Sequence, residues 1–369
     1  RNRDFLFFMI GRFCNVVGVQ ILTVAVGWHV YQLTGDPLDL GYIGLAQFLP
    51  ALFLFLIAGY VSDKYDRRII LFFCNVAHFL VVVMLMLALL GEYDDVRVIF
   101  GILILHGAAR AFFHTAGQAI LPNIVQTEDF PKAVAYSSSV NKAAQLIGPA
   151  FGGGLIAWAG DWTYYVTLSM FALSAISSII ISARLKLEAP DKMTLSTLLG
   201  GFNFIWKNKI VLGAISIDLM AVLLGGVMGL LPIYASDILK VGADGLGIMR
   251  AMPGVGSLMM GLWLSQISSP RFIGPYLFIS LFIFGFSIIV FSLSEIFWLS
   301  LIALTIYGAS DMVSVYIRLT LVQLATPDQM RGRVSAVNSV SINASNELGD
   351  FRAGLCAACL GTIPAVLLG

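Results

Sequence analysis

The feature that most constrains this sequence is a pair of apolar runs, residues 41–62 and 69–91, neither of which contains an acidic residue, lysine or arginine. The link between them, residues 63–68, has six residues of which five are charged. Each run has about 20 residues, the length that a helix needs to cross the hydrocarbon core of a bilayer. The pattern predicts an antiparallel pair of membrane-spanning helices with a charged tip in water. Because three of the five charges are basic, we expect this tip to face the cytoplasm.

Apolar runs of this length recur along the whole chain. The sequence is 59% hydrophobic and only 12% charged, whereas soluble domains have about 25% charged residues. Only helices satisfy all their backbone groups at this length in lipid, so we expect an all-α polytopic membrane protein. We predict eleven spans and the start of a twelfth, which is incomplete in this chain. The spans are 6–33, 41–62, 69–91, 97–120, 133–158, 162–183, 210–234, 244–266, 272–292, 296–322 and 333–360.

The distribution of basic residues predicts how the chain is oriented. With the N-terminus inside, the inner segments carry fourteen Lys and Arg, and the outer loops carry only Arg97 and Lys240. Basic residues concentrate on the cytoplasmic side of membrane proteins, so we expect a cytoplasmic N-terminus. The longest polar link, 184–209, is predicted to be a cytoplasmic linker. It divides the chain into an N-terminal six-helix bundle, 1–183, and a C-terminal bundle with an incomplete last helix, 210–369.

The charged link also carries a recognisable motif. Gly59, Asp63, Lys64, Arg67 and Arg68 fit the pattern G-x-x-x-D-(K/R)-x-x-R-R between spans two and three. This pattern resembles the signature loop of the major facilitator superfamily, which usually has Gly where Asp66 stands here. The Asp-Arg-Arg variant is similar to the drug and siderophore exporter branch of that superfamily. The resemblance implies the major facilitator fold, two six-helix bundles that rock about a central cavity. It also implies that Gly59, Asp63, Arg67 and Arg68 latch the cytoplasmic side.

A second motif lies in span five, where Gly148, Pro149, Gly152 and Gly153 follow Ala144. Proline removes a backbone donor and glycines allow close packing, so the residues predict a kinked, closely packed helix. The run resembles the antiporter signature of the superfamily, with Ala144 in place of its first glycine. The resemblance implies proton-driven export. A packing kink without any coupling role is the equally weighted alternative.

Span four has the densest polar face within the predicted membrane. His106, Arg110 and His114 recur every four residues and so share one slowly drifting face of a helix. Histidine titrates near neutrality, so this face could carry a proton or bind an anionic group. Arg110 could instead be a structural tether, and His114 could simply be solvated. The spacing of the histidines does not match a metal motif. We interpret His78 on span three as a satisfied core histidine.

Acidic residues mark the second half. Asp218, Asp311, Glu347 and Asp350 all fall within predicted spans, where each charge costs at least about 2.5–3.5 kcal/mol near the centre. Such residues should therefore face a cavity or a partner. Glu347 and Asp350 are one helical turn apart, which favours proton uptake by one of them. The alternatives are a buried ion pair at Asp218 and a gating helix at span eleven.

These observations predict a transporter of the bacterial inner membrane. The resemblance implies a secondary active exporter of a siderophore or an amphipathic drug-like molecule that works by proton antiport, and we expect a monomer. Arg110 would bind the substrate, and Asp218, Asp311, Glu347 and His106 are the candidate proton carriers. We expect no cofactor besides the proton gradient, no metal and no nucleic-acid partner. The alternatives are a lysophospholipid or lipid flippase of the same fold and a membrane-embedded enzyme, for which the spans offer no catalytic constellation.

Overall fold

The computed structural model describes residues 2–90, 95–126, 129–182, 202–264, 266 and 273–368. The side chains of several residues inside helices, among them Asp63 and Asp218, lie outside this description. Within the described residues the chain forms eleven long helices. These are α1 (Asn2–Thr34), α2 (Pro37–Lys64), α3 (Arg67–Leu90), α4 (Val96–Ala119), α5 (Phe130–Ala159), α6 (Trp162–Ile180), α7 (Lys209–Leu224), α8 (Gly242–Leu264), α9 (Ile273–Leu293), α10 (Phe297–Ala325) and α11 (Asp328–Leu360).

Each of the eleven helices overlaps one predicted span, and the all-α polytopic fold is confirmed. Eight segments of the described chain are long and apolar enough to cross a membrane. The three remaining long helices, α5, α8 and α11, carry more polar residues. The last described residues form a short helix, Thr362–Leu367.

One predicted span is wrong in its shape. Residues 210–234 were expected to form one helix, but α7 ends at Leu224 and a 3-10 turn, Met228–Leu230, follows. A helical turn at Leu231–Ile233 and a π turn at Tyr234–Ile238 complete the segment. The physical cause is the pair Gly225-Gly226, since glycine favours the helix less than any residue except proline. The predicted linker lies largely outside the described residues, although residues 202–207 are helical.

The chain divides into two compact units. The first unit comprises Arg1–Gly35 and Leu45–Met193, and the second comprises Asp36–Gly44 and Thr194–Gly369. The predicted boundaries of the two bundles stay a prediction.

In the first unit, α1 packs against α5 and α6, and α3 packs against α4 and α6. One apolar core cluster joins α1, α3 and α4 with the turn of helix that follows α4. Its buried members include Phe8, Leu71, Ala116 and Ile124. Glycine allows closer contact where α4 meets α2, because a Cβ on Gly107 would overlap the backbone of Gln47. The unit is therefore held by tight helix packing and by clusters of buried apolar side chains.

In the second unit, α10 packs against both α8 and α9, and α11 packs against α7. The crossing of α8 and α10 is the closest of these contacts. A Cβ on Gly308 would overlap the carbonyl of Pro253, and a Cβ on Gly256 would overlap the carbonyl of Thr305. Small residues at such crossings let helix backbones touch, which is how helices associate when lipid removes the hydrophobic drive.

We expect Gly308→Ala to destabilise the protein, because the added methyl group must displace the backbone of α8. Overpacking of this kind costs about 1–3 kcal/mol, which should lower the melting temperature of the purified protein in detergent. The matched control is Gly285→Ala on α9, where a Cβ meets no described atom within 4 Å. Equal melting temperatures for the two variants would contradict the proposed close crossing.

Candidate functional site

The candidate residues of the first unit begin with two buried histidines. The Nδ1 atoms of His78 on α3 and His106 on α4 lie 3.0 Å apart. Both side chains are inaccessible to solvent, and the His78 ring stacks on Phe171 of α6 with centroids 5.0 Å apart. A nitrogen–nitrogen contact of this length requires one proton between the two rings, so one histidine donates and the other accepts. His78 is a core histidine, but its pairing with His106 was not predicted.

Arg110 and His114 continue the same face of α4 toward its C-terminal end. Both are exposed, unlike His106. Arg110 lies near enough to His78, His106 and His114 for its charge to act on all three. The Nε2 atom of His114 lies 3.2 Å from Nε2 of Gln118. The structure therefore brings the three predicted residues of span four together with His78, and Arg110 and His114 are exposed.

The signature loop is tied to two helix ends of the first unit. Arg67 donates to the carbonyl of Ala119, the last residue of α4, at 2.8 Å and to the side chain of Asn123. Arg68 donates to the carbonyl of Ile181, directly after α6, at 2.7 Å. Helix C-terminal carbonyls lack backbone donors, so these guanidinium groups satisfy them. Gly59 is buried on α2, and the side chain of Asp63 lies outside the described residues. The predicted latch stays a prediction.

Asp66, which departs from the signature pattern, has a structural role. Its Oδ1 accepts the backbone N–H of Arg68 at 3.0 Å and so caps the start of α3. Its Oδ2 also forms an ion pair of 2.6 Å with the Arg68 guanidinium. Partial burial raises the pKa of Asp66. The hydrogen bonds and charge of Arg68, with the charge of Arg67, outweigh that effect and hold this pKa below its usual range.

The predicted antiporter kink lies where α5 meets α1. Pro149 is inside α5, and the glycines around it are buried. A Cβ on Gly148 would lie 2.6 Å from the Cβ of Gln20, and one on Gly152 would lie 2.9 Å from the Cα of Ile21. Gly148 and Gly152 therefore permit the close packing that was predicted for this helix. Gly153 is buried on the same helix. The coupling role of the motif stays a prediction.

The candidate residues of the second unit form a cluster of charges between α8, α10 and α11. Glu347 and Asp350 lie one turn apart on α11, and both are near enough to Arg250 of α8 to interact with its charge. Tyr307 of α10 lies near Asp350, and it also lies near Asp311 on its own helix. We call these five residues the acid cluster. Three of its members, Asp311, Glu347 and Asp350, were predicted as site residues.

Two members of the acid cluster were missed as site residues. Arg250 was visible in the sequence as a charge within span eight, but nothing in its spacing indicated its partners on α11. Its Nη2 lies 3.4 Å from the carbonyl of Met228, and its Nε is buried without a hydrogen-bond partner among the described residues. Tyr307 lies four residues before Asp311, which places both on one face of α10. That spacing was the available signal. The side chain of Asp218 lies outside the described residues.

The comparisons with known proteins agree with this architecture. The profile of the Major Facilitator Superfamily matches residues 8–349. The chain belongs to the major facilitator superfamily. The prediction from the signature loop is thereby confirmed, and the chain is a multi-pass transport protein rather than an enzyme.

Curated relatives of this chain include two enterobactin exporters. Enterobactin exporter EntS of Citrobacter koseri is 23% identical over 363 residues, which cover 97% of this chain and 84% of that protein. The EntS protein of Escherichia coli O81 is 23% identical over 360 residues with the same coverage. The resemblance to the drug and siderophore exporter branch is therefore confirmed as a distant similarity.

Solved transporter structures share the fold. The nucleoside transporter NupG has a TM-score of 0.76 at 14% identity, with 100% of this chain and 95% of that chain covered. A bacterial homologue of the human lysosomal transporter Spinster, inward-facing and unoccupied, has a TM-score of 0.77 at 12% identity and covers 96% and 82%. A bacterial homologue of the iron transporter ferroportin, also inward-facing, has a TM-score of 0.74 at 15% identity and covers 99% and 96%. At these identities the structures show the fold alone.

We expect Asp66→Asn to flatten the acid side of the stability profile. Because the pKa of Asp66 is lower in the folded chain than in the unfolded chain, its charge stabilises the fold above about pH 4. That contribution disappears as the pH falls through the folded pKa. Asparagine can still cap the helix but carries no charge. The variant should therefore lose the pH-dependent contribution of Asp66 to the free energy of unfolding, which is under about 1 kcal/mol for an ion pair near the surface.

The measurement is the melting temperature of both proteins in detergent between about pH 5 and pH 3. Glu295→Gln, an exposed acid in the loop before α10, is the control and should follow the wild type. Parallel profiles for wild type and Asp66→Asn would contradict the assigned ion pair.

Proposed function

We propose that this chain is a secondary active exporter that moves a small organic molecule out of the bacterial cytoplasm in exchange for protons. The observation that carries the proposal is the acid cluster, in which Glu347 and Asp350 of α11 share the neighbourhood of Arg250 of α8. Two carboxylates beside one guanidinium leave one negative charge when both are ionised. A single bound proton removes that charge, which is costly within a membrane.

In this proposal the transported proton therefore binds to a carboxylate of the acid cluster. Asp311 lies at the edge of the cluster beside Tyr307, and Asp218 is the further carboxylate of the second half. His106 is a weaker candidate than the carboxylates. A proton carrier must be reached by water, but His106 is only 1% exposed and its Nδ1 faces His78.

The proposed substrate is a siderophore or an amphipathic compound with an anionic or polar group. Two features support this class: the distant similarity to enterobactin exporters and the exposed Arg110 on α4. Catecholate and carboxylate groups match the planar donor geometry of a guanidinium, which binds them through paired hydrogen bonds. We further propose that the transporter acts as a monomer in the inner membrane with its N-terminus in the cytoplasm.

We expect a siderophore to raise the melting temperature of the purified protein. A ligand at about 100 times its dissociation constant stabilises a protein by about 2.7 kcal/mol, which a thermal-shift assay detects. The panel contains enterobactin, a carboxylate siderophore, a lipophilic cation and a lysophospholipid. Arg110→Ala should abolish the shift produced by the siderophores.

The control for this screen is Arg97→Ala, which removes an exposed arginine at the other end of α4 and should leave the shift unchanged. A shift by the lysophospholipid alone would replace the exporter proposal with the lipid flippase. A siderophore shift that persists in Arg110→Ala would remove Arg110 from the site.

We expect Glu347→Gln to separate binding from proton coupling. The variant removes one ionisable group of the acid cluster, so siderophore binding should persist while transport driven by a pH gradient is lost. The same outcome is expected for Asp218→Asn. The measurement is flux into proteoliposomes with and without a pH gradient, with Glu295→Gln as the exposed-acid control. Gradient-driven flux equal to that of the wild type in both variants would contradict the assignment of Glu347 and Asp218 as proton carriers.

A further inference from the structure

The break after α7 exposes backbone groups that a continuous helix would satisfy. After Leu224 the chain leaves the helix: Gly225 still donates to the carbonyl of Ala221 at 2.8 Å, and the next backbone-to-backbone bond of the described residues runs from Leu230 to the carbonyl of Val227 at 3.0 Å. A broken helix within a membrane protein is tolerated where neighbouring groups satisfy the freed donors and acceptors. We call residues 225–230 the α7 break.

Two side chains of α11 hold the two sides of the α7 break. Arg352 donates through Nε to the carbonyl of Leu223 at 3.0 Å and through Nη2 to the carbonyl of Leu224. On the other side, Asp350 accepts the backbone N–H of Gly229 through Oδ1 at 3.0 Å. The two contacts come from residues only two apart in sequence, so α11 fixes both edges of the break.

The approach of α11 to this break depends on small residues. A Cβ on Gly226 would lie 2.6 Å from the carbonyl carbon of Gly349, and one on Gly349 would lie 2.9 Å from the carbonyl oxygen of Val222. A Cβ on Gly229 would lie 3.0 Å from the Cβ of Asp350. The backbone of the break therefore rests directly on the turn of α11 that carries the acidic pair.

We propose that Asp350 links proton binding in the acid cluster to the conformation of the α7 break, while Arg352 anchors the other side of the break independently of pH. This inference rests on the proposed proton antiport and deepens it. It assigns Asp350 a positioning role on the backbone of α7, beyond a role as a proton carrier.

The surroundings of Asp350 supply the charges that such a link needs. Glu347 lies on α11 itself, Arg250 faces it from α8, and Tyr307 faces it from α10 with Asp311 nearby. The start of α2 packs on the neighbouring Phe351 through Gly41; Asp39 lies in its first turn, and Asp36 lies directly before it. The side chain of Asp218 on α7 lies outside the described residues.

The chemistry of the contact explains how a proton changes the break. As a carboxylate, Asp350 accepts a charge-assisted hydrogen bond from Gly229, and such bonds are about twice as strong as neutral ones. Protonation removes the charge and weakens this bond. It also removes one of the two negative charges near Arg250, whose Nη2 lies 3.4 Å from the carbonyl of Met228 in the same break. One proton thus weakens the bond between Asp350 and Gly229 on that side, whereas the bonds from Arg352 come from a guanidinium that does not titrate.

The experiment is hydrogen–deuterium exchange of the full chain in lipid nanodiscs, without substrate, followed by mass spectrometry on peptides that cover residues 225–230. Exchange is compared across pH after correction for its intrinsic pH dependence. In the wild type, protection of the α7 break should fall by about tenfold as the acid cluster takes up a proton. Asp350→Asn should show the low protection at every pH, because an amide accepts only a neutral hydrogen bond.

Two further variants separate this link from a general loosening of the unit. Arg352→Gln should lower protection of the α7 break at every pH but keep its pH dependence. Glu295→Gln, an exposed acid outside the cluster, should behave as the wild type. The inference would be overturned if protection of the α7 break in the wild type did not change with pH. It would also be overturned if the pH dependence of this protection persisted in Asp350→Asn.

The outcome is also distinguishable from failure of the proposed function. Flux into proteoliposomes is measured on the same preparations with and without a pH gradient. If flux depends on the pH gradient but protection of the α7 break does not change with pH, only the proposed positioning role of Asp350 is contradicted. If protection of the break changes with pH in the wild type but not in Asp350→Asn, and flux does not depend on the pH gradient, the antiport proposal is contradicted. The link between Asp350 and the break is then supported.

Discussion

Hydrogen bonds from charged side chains to unpaired backbone groups recur at the points where this helical chain is interrupted. Lipid offers no water to satisfy a free carbonyl or N–H group, so each helix end within the protein needs a partner. In the first unit, Arg67 and Arg68 supply donors to the ends of α4 and α6. In the second unit, Arg352 donates to a carbonyl at the end of α7, and Asp350 accepts the backbone N–H of Gly229 in the break that follows. Charged side chains thus pair with helix-end backbone groups both in the signature loop and on α11.

The contacts of Asp66 give this residue a structural role that the superfamily pattern alone does not predict. The position usually holds glycine, yet here the carboxylate caps α3 and pairs with Arg68. Its partner Arg68 in turn reaches the end of α6, so one acidic residue orients the guanidinium that joins two helices. The departure from the pattern therefore adds a contact within the first unit and leaves both arginines of the motif engaged.

The helices were predictable because their cause is local. A run of about 20 apolar residues has to be a helix in lipid, whatever surrounds it. The α7 break has an equally local cause in Gly225-Gly226, but the apolar run continues through it, and hydropathy alone therefore predicted one span. The pairing of His78 with His106 was beyond sequence reasoning, because the residues are 28 positions apart and meet only through the packing of α3 on α4. Arg250 shows the same limit, since its acidic neighbours lie on α11.

The two units differ in the charges that they offer. The exposed arginine of the first unit, Arg110, suits an anionic or polar group, whereas the second unit holds two acids near the half-buried Arg250 and a third beside Tyr307. On the proposed assignment, substrate and proton therefore bind different residues in different units and do not compete directly for one group. Exchange then requires that each ligand favour a different conformation of the transporter, because a ligand shifts an equilibrium only through its differential affinity for the two states. A backbone element whose stability depends on a titrating carboxylate, such as the α7 break beside Asp350, provides that differential affinity for the proton.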